Sequence, residues 1–191
     1  MKRDLNHFVF SGLLARHAIR DLEASGVLRS KTATAAERRD QDLFAPVQED
    51  VRSGSLQMQR HYRILYVLEN VIRKFISDRF HEQDGDDWFE KRGSSDMKTK
   101  LEKRKETEEK NGWHTGRNRH PIFYMDFGDL AKLVVNHWDS FVDLLPSQVW
   151  VQSRLEEAER SRNVIAHTNL LAAEEADRLE MYLRDWIKQI G

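Results

Sequence analysis

Apolar positions along the chain recur at spacings of three and four, and no run alternates in the manner of a strand. The clearest segment covers about Met58 to Phe80. Leu65, Leu68, Val71, Ile72, Phe75, Ile76 and Phe80 line one broad face there, which predicts an amphipathic helix with Ser55 as a candidate cap. The polar run at 82–87, EQDGDD, ends it, and Trp88 and Phe89 supply an aromatic pair expected to pack back on the core. A second helix is predicted from about Asp129 to Leu145, capped by Asp126 or Asp129 and stopped by Pro146. Ser147 caps a third, which carries Trp150, Leu155 and Ala158. The last runs from about Leu170 to Ile190, with Ala172, Ala176, Leu179, Leu183, Trp186 and Ile190 on one face and Thr168 or Asn169 as cap.

Two stretches break this pattern. Residues 1–41 read as an N-terminal helical extension: Phe8, Leu13 or Leu14, and Leu22 suggest a helix over about Leu5 to Leu28, and residues 30–44 a loop or short exposed helix. Residues 93–119 hold few apolar side chains, and the run KTKLEKRKETEEK predicts a solvated helix supported by i,i+4 charge pairs. They read as a charged insertion in a body spanning 42–191. His120 begins a short extended or turn segment, HPIFYMDFGD, held by aromatics. The fold class is therefore all-α: an up-and-down four-helix bundle with an N-terminal extension and a charged insertion.

Charge sharpens the view of the insertion. Of the 191 residues, 31 are Lys or Arg and 32 Asp or Glu, yet residues 91–120 contain ten cations against five acids. A basic island therefore sits in an acidic body, an arrangement suited to a polyanion despite a net charge of -1. The absence of Cys excludes disulfides, thiolate metal sites and Cys nucleophiles. No apolar run reaches the roughly 20 residues of a membrane span, and MKRDLNHFVF does not read as a signal peptide, so a cytoplasmic protein with no membrane role is expected.

The sharpest chemical feature is SRNVIAHTN, residues 161–169. Asn163 and His167, four apart, share a helix face, while Arg162 and His167 diverge on an ideal helix unless the turn is broken near Thr168. His is a general acid or base near neutral pH, Arg is a fixed fork for phosphate, and Asn can orient either partner. A lone Arg and His near a helix end are also common as plain capping groups. Glu69 and Arg73 form an i,i+4 pair that is either structural or near a phosphate site. Glu156, Glu159, Asn163 and His167 make a polar stripe expected at a surface or interface, with Glu159 able to orient the site. Trp113, His114, Arg117, Arg119 and His120 can stack bases and grip phosphates, or form a loop anchored on the bundle by Trp113, the reading favoured here. Trp138, Trp150 and Trp186 belong to the core pattern. No metal-ligand spacing, Walker motif or dinucleotide fingerprint is present, so no cofactor or metal is expected.

Arg162-Asn-Val-Ile-Ala-His167 resembles the Arg-x(4–6)-His signature of the HEPN superfamily. The segments YRILYVLENVIRKFI (62–76), YMDFGDLAKLV (124–134), VWVQSRLEEAERSRNVIAH (149–167) and Leu179 to Trp186 resemble, in order, the core helices of the branch found in a nuclear RNA-surveillance endoribonuclease and in many bacterial proteins. The resemblance covers about residues 42–190. It implies a helical bundle that dimerises so that two motifs line one cleft, and a metal-independent endoribonuclease with Arg162, Asn163 and His167 as catalytic residues. It further implies RNA as substrate, a toxin or antiviral setting, and a protein regulator or antitoxin as a possible partner. The alternative is a non-catalytic HEPN module that dimerises, regulates a partner or senses a nucleotide.

Overall fold

The computed structural model describes residues 15, 17–19, 21–22 and 35–190, the side chains of 35–38 excepted. It divides into two compact units, residues 1–52 and 53–191. In the first, the described residues between 15 and 22 are helical and exposed, and helix α1 spans Ala35–Phe44. The expected positions Phe8, Leu13, Leu14 and Leu28 lie outside the described residues.

Helix α2 spans Glu49–Asp84, longer at both ends than its apolar pattern suggests. Ser55 lies inside it and not at its start, because the helix runs on through polar residues beyond the amphipathic part. Its end is sharp: Gly85, with φ 77°, donates its N–H to His81 O (2.9 Å), the left-handed stop for which glycine is suited. Trp88 and Phe89, in the short helix α3 (Trp88–Arg92), fold back into the core as expected.

Helix α4 (Ser95–Lys110) corrects the view of 93–119 as a wholly solvated insertion. Ser94 accepts from the Met97 N–H, and Met97 and Leu101, four residues apart, are buried in the main core. Two apolar residues suffice because ion pairs from Lys100 and Arg104 to Asp126 and Asp129 fasten the same face. A 3₁₀ turn, Pro121–Tyr124, follows and buries Ile122 and Tyr124.

Helix α5 spans only Phe127–Asn136. Asp126 and Asp129 cap it jointly, each side chain accepting the other's backbone N–H (3.1 and 3.2 Å), so both candidates serve in one capping box. The predicted continuation to Leu145 is instead a 3₁₀ turn, Trp138–Ser140, and further turns. Polar groups of α2 hold this segment out of helix: Arg79 Nε donates to Ser140 O (2.6 Å), and Ser140 Oγ donates to Gln83 Oε1 (2.8 Å). Ser147 caps helix α6 (Gln148–Ala166), and helix α7 runs Ala173–Ile190, starting three residues later than its pattern.

Among the described residues the chain is all helix and turn, a multi-helical fold without strands, consistent with a HEPN-type bundle. The core joins Leu68, Ile72 and Ile76 of α2 to Leu130 and Val134 of α5, Leu155 of α6 and Trp186 of α7. Trp138 and Trp150 pack against it half-buried. Small buried residues, Ala131 and Ala158, lie on the closely paired helices α5 and α6. No described helix is long and apolar enough to cross a membrane.

Candidate functional site

The end of α6 is built by the sequence RNVIAHTN. Thr168 N donates to Ile165 O (3.0 Å) and Asn169 N to Val164 O (3.1 Å), the crossed pair of bonds of a Schellman ending. Such an ending needs a left-handed residue, and here it is Thr168, with φ 58°. A β-branched residue is a poor choice for that conformation, which costs an L-residue about 1–2 kcal/mol. Thr168 is therefore the terminator of α6, not the cap of α7, and the helix is broken immediately after His167.

Arg162, Asn163 and His167 all sit at this end, and all three are exposed. Arg162 Nη1 donates to Asn163 Oδ1 (3.1 Å), and among the described residues no carboxylate pairs with the guanidinium. His167 closes the helix with its backbone N–H to Asn163 O (3.1 Å). Its carbonyl accepts from Thr168 Oγ1 and Asn169 Nδ2, while its ring makes no hydrogen bond among the described residues. The structure thus joins Arg162 to Asn163 directly and leaves the imidazole free on the same helix end.

Arg73, weighed in the sequence only as half of a helical pair, is drawn into this region by the fold. Its side chain is 12 % exposed and bonds to Glu69 Oε1 (2.6 Å, Glu69 18 % exposed) and to Met125 O (3.0 Å), with its guanidinium over the Phe123 ring. Nε is buried with no acceptor among the described residues. Burial pushes the guanidinium below its ordinary affinity for protons, Glu69 opposes that, and the charges of Arg162 and Arg117 push it further down. Three arginines from three distant parts of the sequence therefore share one electrostatic neighbourhood. The only signal in the sequence was the four-residue spacing of Glu69 and Arg73.

The segment Tyr124–Asp126 is ringed by cations. Arg73 donates to Met125 O, Arg104 to Tyr124 O, and Lys100 to Asp126 (3.0 Å) and Asp129 (2.6 Å). Arg117 lies over the Tyr124 ring and pairs with Glu108, which also accepts from Tyr124 Oη (2.8 Å). Burial disfavours the Asp126 carboxylate, but Lys100 and the Asp129 N–H outweigh it and hold Asp126 at about 2. Much of the positive charge of the insertion is thus engaged within the chain. Lys103, Lys110 and Arg119 have no ionic partner among the described residues.

Glu159 makes no hydrogen bond to His167 among the described residues. A methyl group built at Gly128 would come within 3.0 Å of Glu159 Oε2, so the carboxylate lies against the first turn of α5, where a helix favours negative charge. Trp113 does not anchor its loop: it is 84 % exposed, touching only the edge of the His114 ring among aromatic neighbours. The loop's anchor is His120 instead. Its ring packs on buried Trp88, and its Nδ1 accepts from Ile122 N (3.3 Å) at the start of the 3₁₀ turn. No group of three or more His, Asp or Glu among the described residues is arranged to hold a metal ion.

No curated protein and no solved structure matches the chain significantly. The family model described as Swt1-like HEPN matches residues 63–191, which include α2 from Arg63 onward, the ringed segment, and Arg162 through His167. HEPN families are broadly associated with RNA-related nuclease activity. On that match, over more than half its length, the chain belongs to the Swt1-like HEPN family.

Proposed function

We propose that the protein is a metal-independent endoribonuclease acting through Arg162, Asn163 and His167. The observation that carries this reading is a guanidinium without a carboxylate partner and an imidazole without a hydrogen bond among the described residues, exposed together at one helix end. The imidazole accepts the proton of a ribose 2′-OH as that oxygen bonds to the adjacent phosphorus. The P–O5′ bond breaks, and the leaving oxygen takes a proton. One product ends in a 2′,3′-cyclic phosphate, the other in a 5′-OH. Arg162 offsets the charge that grows on the phosphoryl oxygens, and Asn163 steadies the guanidinium through the bond already in place. Arg73, paired with Glu69, lies close enough for its charge and that of Arg162 to act on each other.

The motif is open to solvent on one side, and a second copy of the chain would supply the missing wall. Tyr62 and Tyr66 support this. They are exposed, and on α2 they fall within about 60° of the face that carries Glu69 and Arg73. A homodimer through this face brings two sets of motif residues to one cleft. A protein regulator covering the same face would silence both.

The test is cleavage of a labelled mixed RNA pool in EDTA by wild type, Arg162→Ala and His167→Ala. Cutting by wild type and at least a hundredfold slower cutting by both variants is expected, since acid–base catalysis contributes about 10²–10⁴ in rate. No cutting by folded wild type, or equal cutting by His167→Ala, would overturn the assignment and leave a binding module.

A further inference from the structure

The loop after α4 carries a feature the catalytic reading does not use. Trp113 stands almost fully in solvent beside an open cavity of about 490 Å³, lined by Thr107, Glu108, Asn111, Trp113, Thr115 and Arg117 among others. That volume is within the range of small-ligand sites, about 300–1,000 Å³. The walls offer hydrogen-bonding groups. Asn111 spends its amide N–H on Thr107 O (2.8 Å), and its side-chain oxygen has no donor among the described residues. An indole this exposed contributes little to folding, and its π-face is open to a planar partner.

The surrounding charge selects the partner. Lys103, Lys110 and Arg119, which have no ionic partner among the described residues, lie in or before this loop in sequence, within a stretch holding ten cations against five acids. Arg117 lines the cavity, pairs with Glu108, and also makes its charge felt at Arg73, whose other cationic neighbour is Arg162. The charges of Arg117 at the cavity and Arg162 in the motif both act on Arg73, so cavity and motif lie in one neighbourhood. A planar face beside exposed cations matches a single strand, whose bases stack while its phosphates meet the charge.

We propose that Trp113 and its cavity form a subsite for one unpaired base of a single-stranded RNA, a few nucleotides from the phosphate held at Arg162. The proposal rests on RNA as the substrate of the motif. Trp113 supplies the stacking face, Thr107 and Asn111 meet the base edge, and Arg117 faces the backbone on its way to Arg162. A base held in a duplex cannot reach the indole face, so the subsite favours unpaired RNA.

The test is binding, measured by anisotropy, of a fluorescein-labelled mixed-sequence 12-nucleotide RNA to the full chain carrying His167→Ala, which keeps the probe intact. Adding Trp113→Ala is expected to weaken binding about tenfold, or about 1.4 kcal/mol, within the range for one base on an aromatic ring. Trp113→Phe should stay within about threefold of the parent, and a duplex of the same sequence should bind equally with or without Trp113. Unchanged single-strand affinity in Trp113→Ala, or no single-strand binding by the parent, overturns the subsite. The nuclease reading fails separately: Trp113-dependent binding without cleavage by wild type rejects the chemistry and keeps the subsite. Cleavage with Trp113-independent binding does the reverse.

Discussion

Glu69 and Arg73 allow the sharpest stability test, because the two halves of the pair are unequally replaceable. Both side chains are largely buried, bonded at 2.6 Å, and Arg73 lies near two further positive charges. Glu69→Gln removes the opposing charge and leaves that guanidinium buried with neutral partners alone, the Gln amide oxygen, Met125 O and the Phe123 ring. Breaking a buried pair from one side costs about 3–5 kcal/mol, and the retained amide oxygen with the remaining exposure of both groups puts this case at about 2–3. Arg73→Met removes the cation itself, fills similar space, and leaves a carboxylate that can still reach water, for a loss of about 1–2 kcal/mol. The double variant should cost less than the two single losses together, with a coupling of about 2 kcal/mol. Because Arg162 repels Arg73, adding Arg162→Gln should reduce the Glu69→Gln loss by about 0.5 kcal/mol. Urea unfolding followed by tryptophan fluorescence reads all of these, since Trp186 is fully buried in the core. A Glu69→Gln loss below about 0.5 kcal/mol, or no relief from Arg162→Gln, would refute the shared electrostatic neighbourhood of Arg73 and Arg162.

Other perturbations test separate parts of the structure. Thr168→Gly should stabilise by about 0.5–1 kcal/mol, since release of the left-handed strain exceeds the extra freedom of glycine in the unfolded chain; a lowered Tm would contradict the strain. Leu101→Ala should cost about 2–4 kcal/mol while Glu106→Ala, on the exposed side of α4, stays within about 0.5, and equal small losses would mean that α4 is not docked. His120 is held below its ordinary value by burial first and then by the charge of His81. Its share of stability is full above about pH 6.5 and is lost as pH falls from there through the lowered folded value, a slope that His120→Asn should remove in acid-unfolding scans. Asp126, held at about 2, acts lower: its share is present above about pH 3.9 and disappears toward pH 2, so Asp126→Ala should flatten that limb of the scan.

The elements that read well from sequence are those whose burial is dictated by their own periodicity. The core faces of α2 and α7 are visible as repeats of three and four, and Ser147 announces the start of α6. Helix α4 is hidden in the sequence because its hold on the core is two apolar side chains plus ion pairs to residues some 22 to 29 positions later in the chain. Helix α5 read too long because apolar residues continue past Asn136, while the groups that bend the chain there, Arg79 and Gln83, belong to α2. The candidate site divides in the same way. Arg162, Asn163 and His167 are neighbours in sequence and so legible as a motif, while the sequence offers a break near Thr168 only as the condition for their convergence. The contribution of Arg73 and Arg117 was not legible, since only the folded chain brings α2 and the loop after α4 to the region of α6. Nor does a tryptophan in a basic loop declare whether it points inward; here Trp113 is exposed and His120 packs on Trp88.

The chemistry assigned to Arg162 and His167 stands on one requirement, a ribose 2′-OH acting as the nucleophile. The most direct measurement is the product analysis of one defined single-stranded RNA, by mass spectrometry in EDTA, beside the same sequence carrying 2′-deoxyribose throughout. The account predicts fragments ending in 2′,3′-cyclic phosphate and 5′-OH from the RNA, none from the deoxy strand, and none from either with His167→Ala. Fragments with 5′-phosphate ends, or cutting of the deoxy strand, would show that water and not the 2′-OH attacks, and would contradict it.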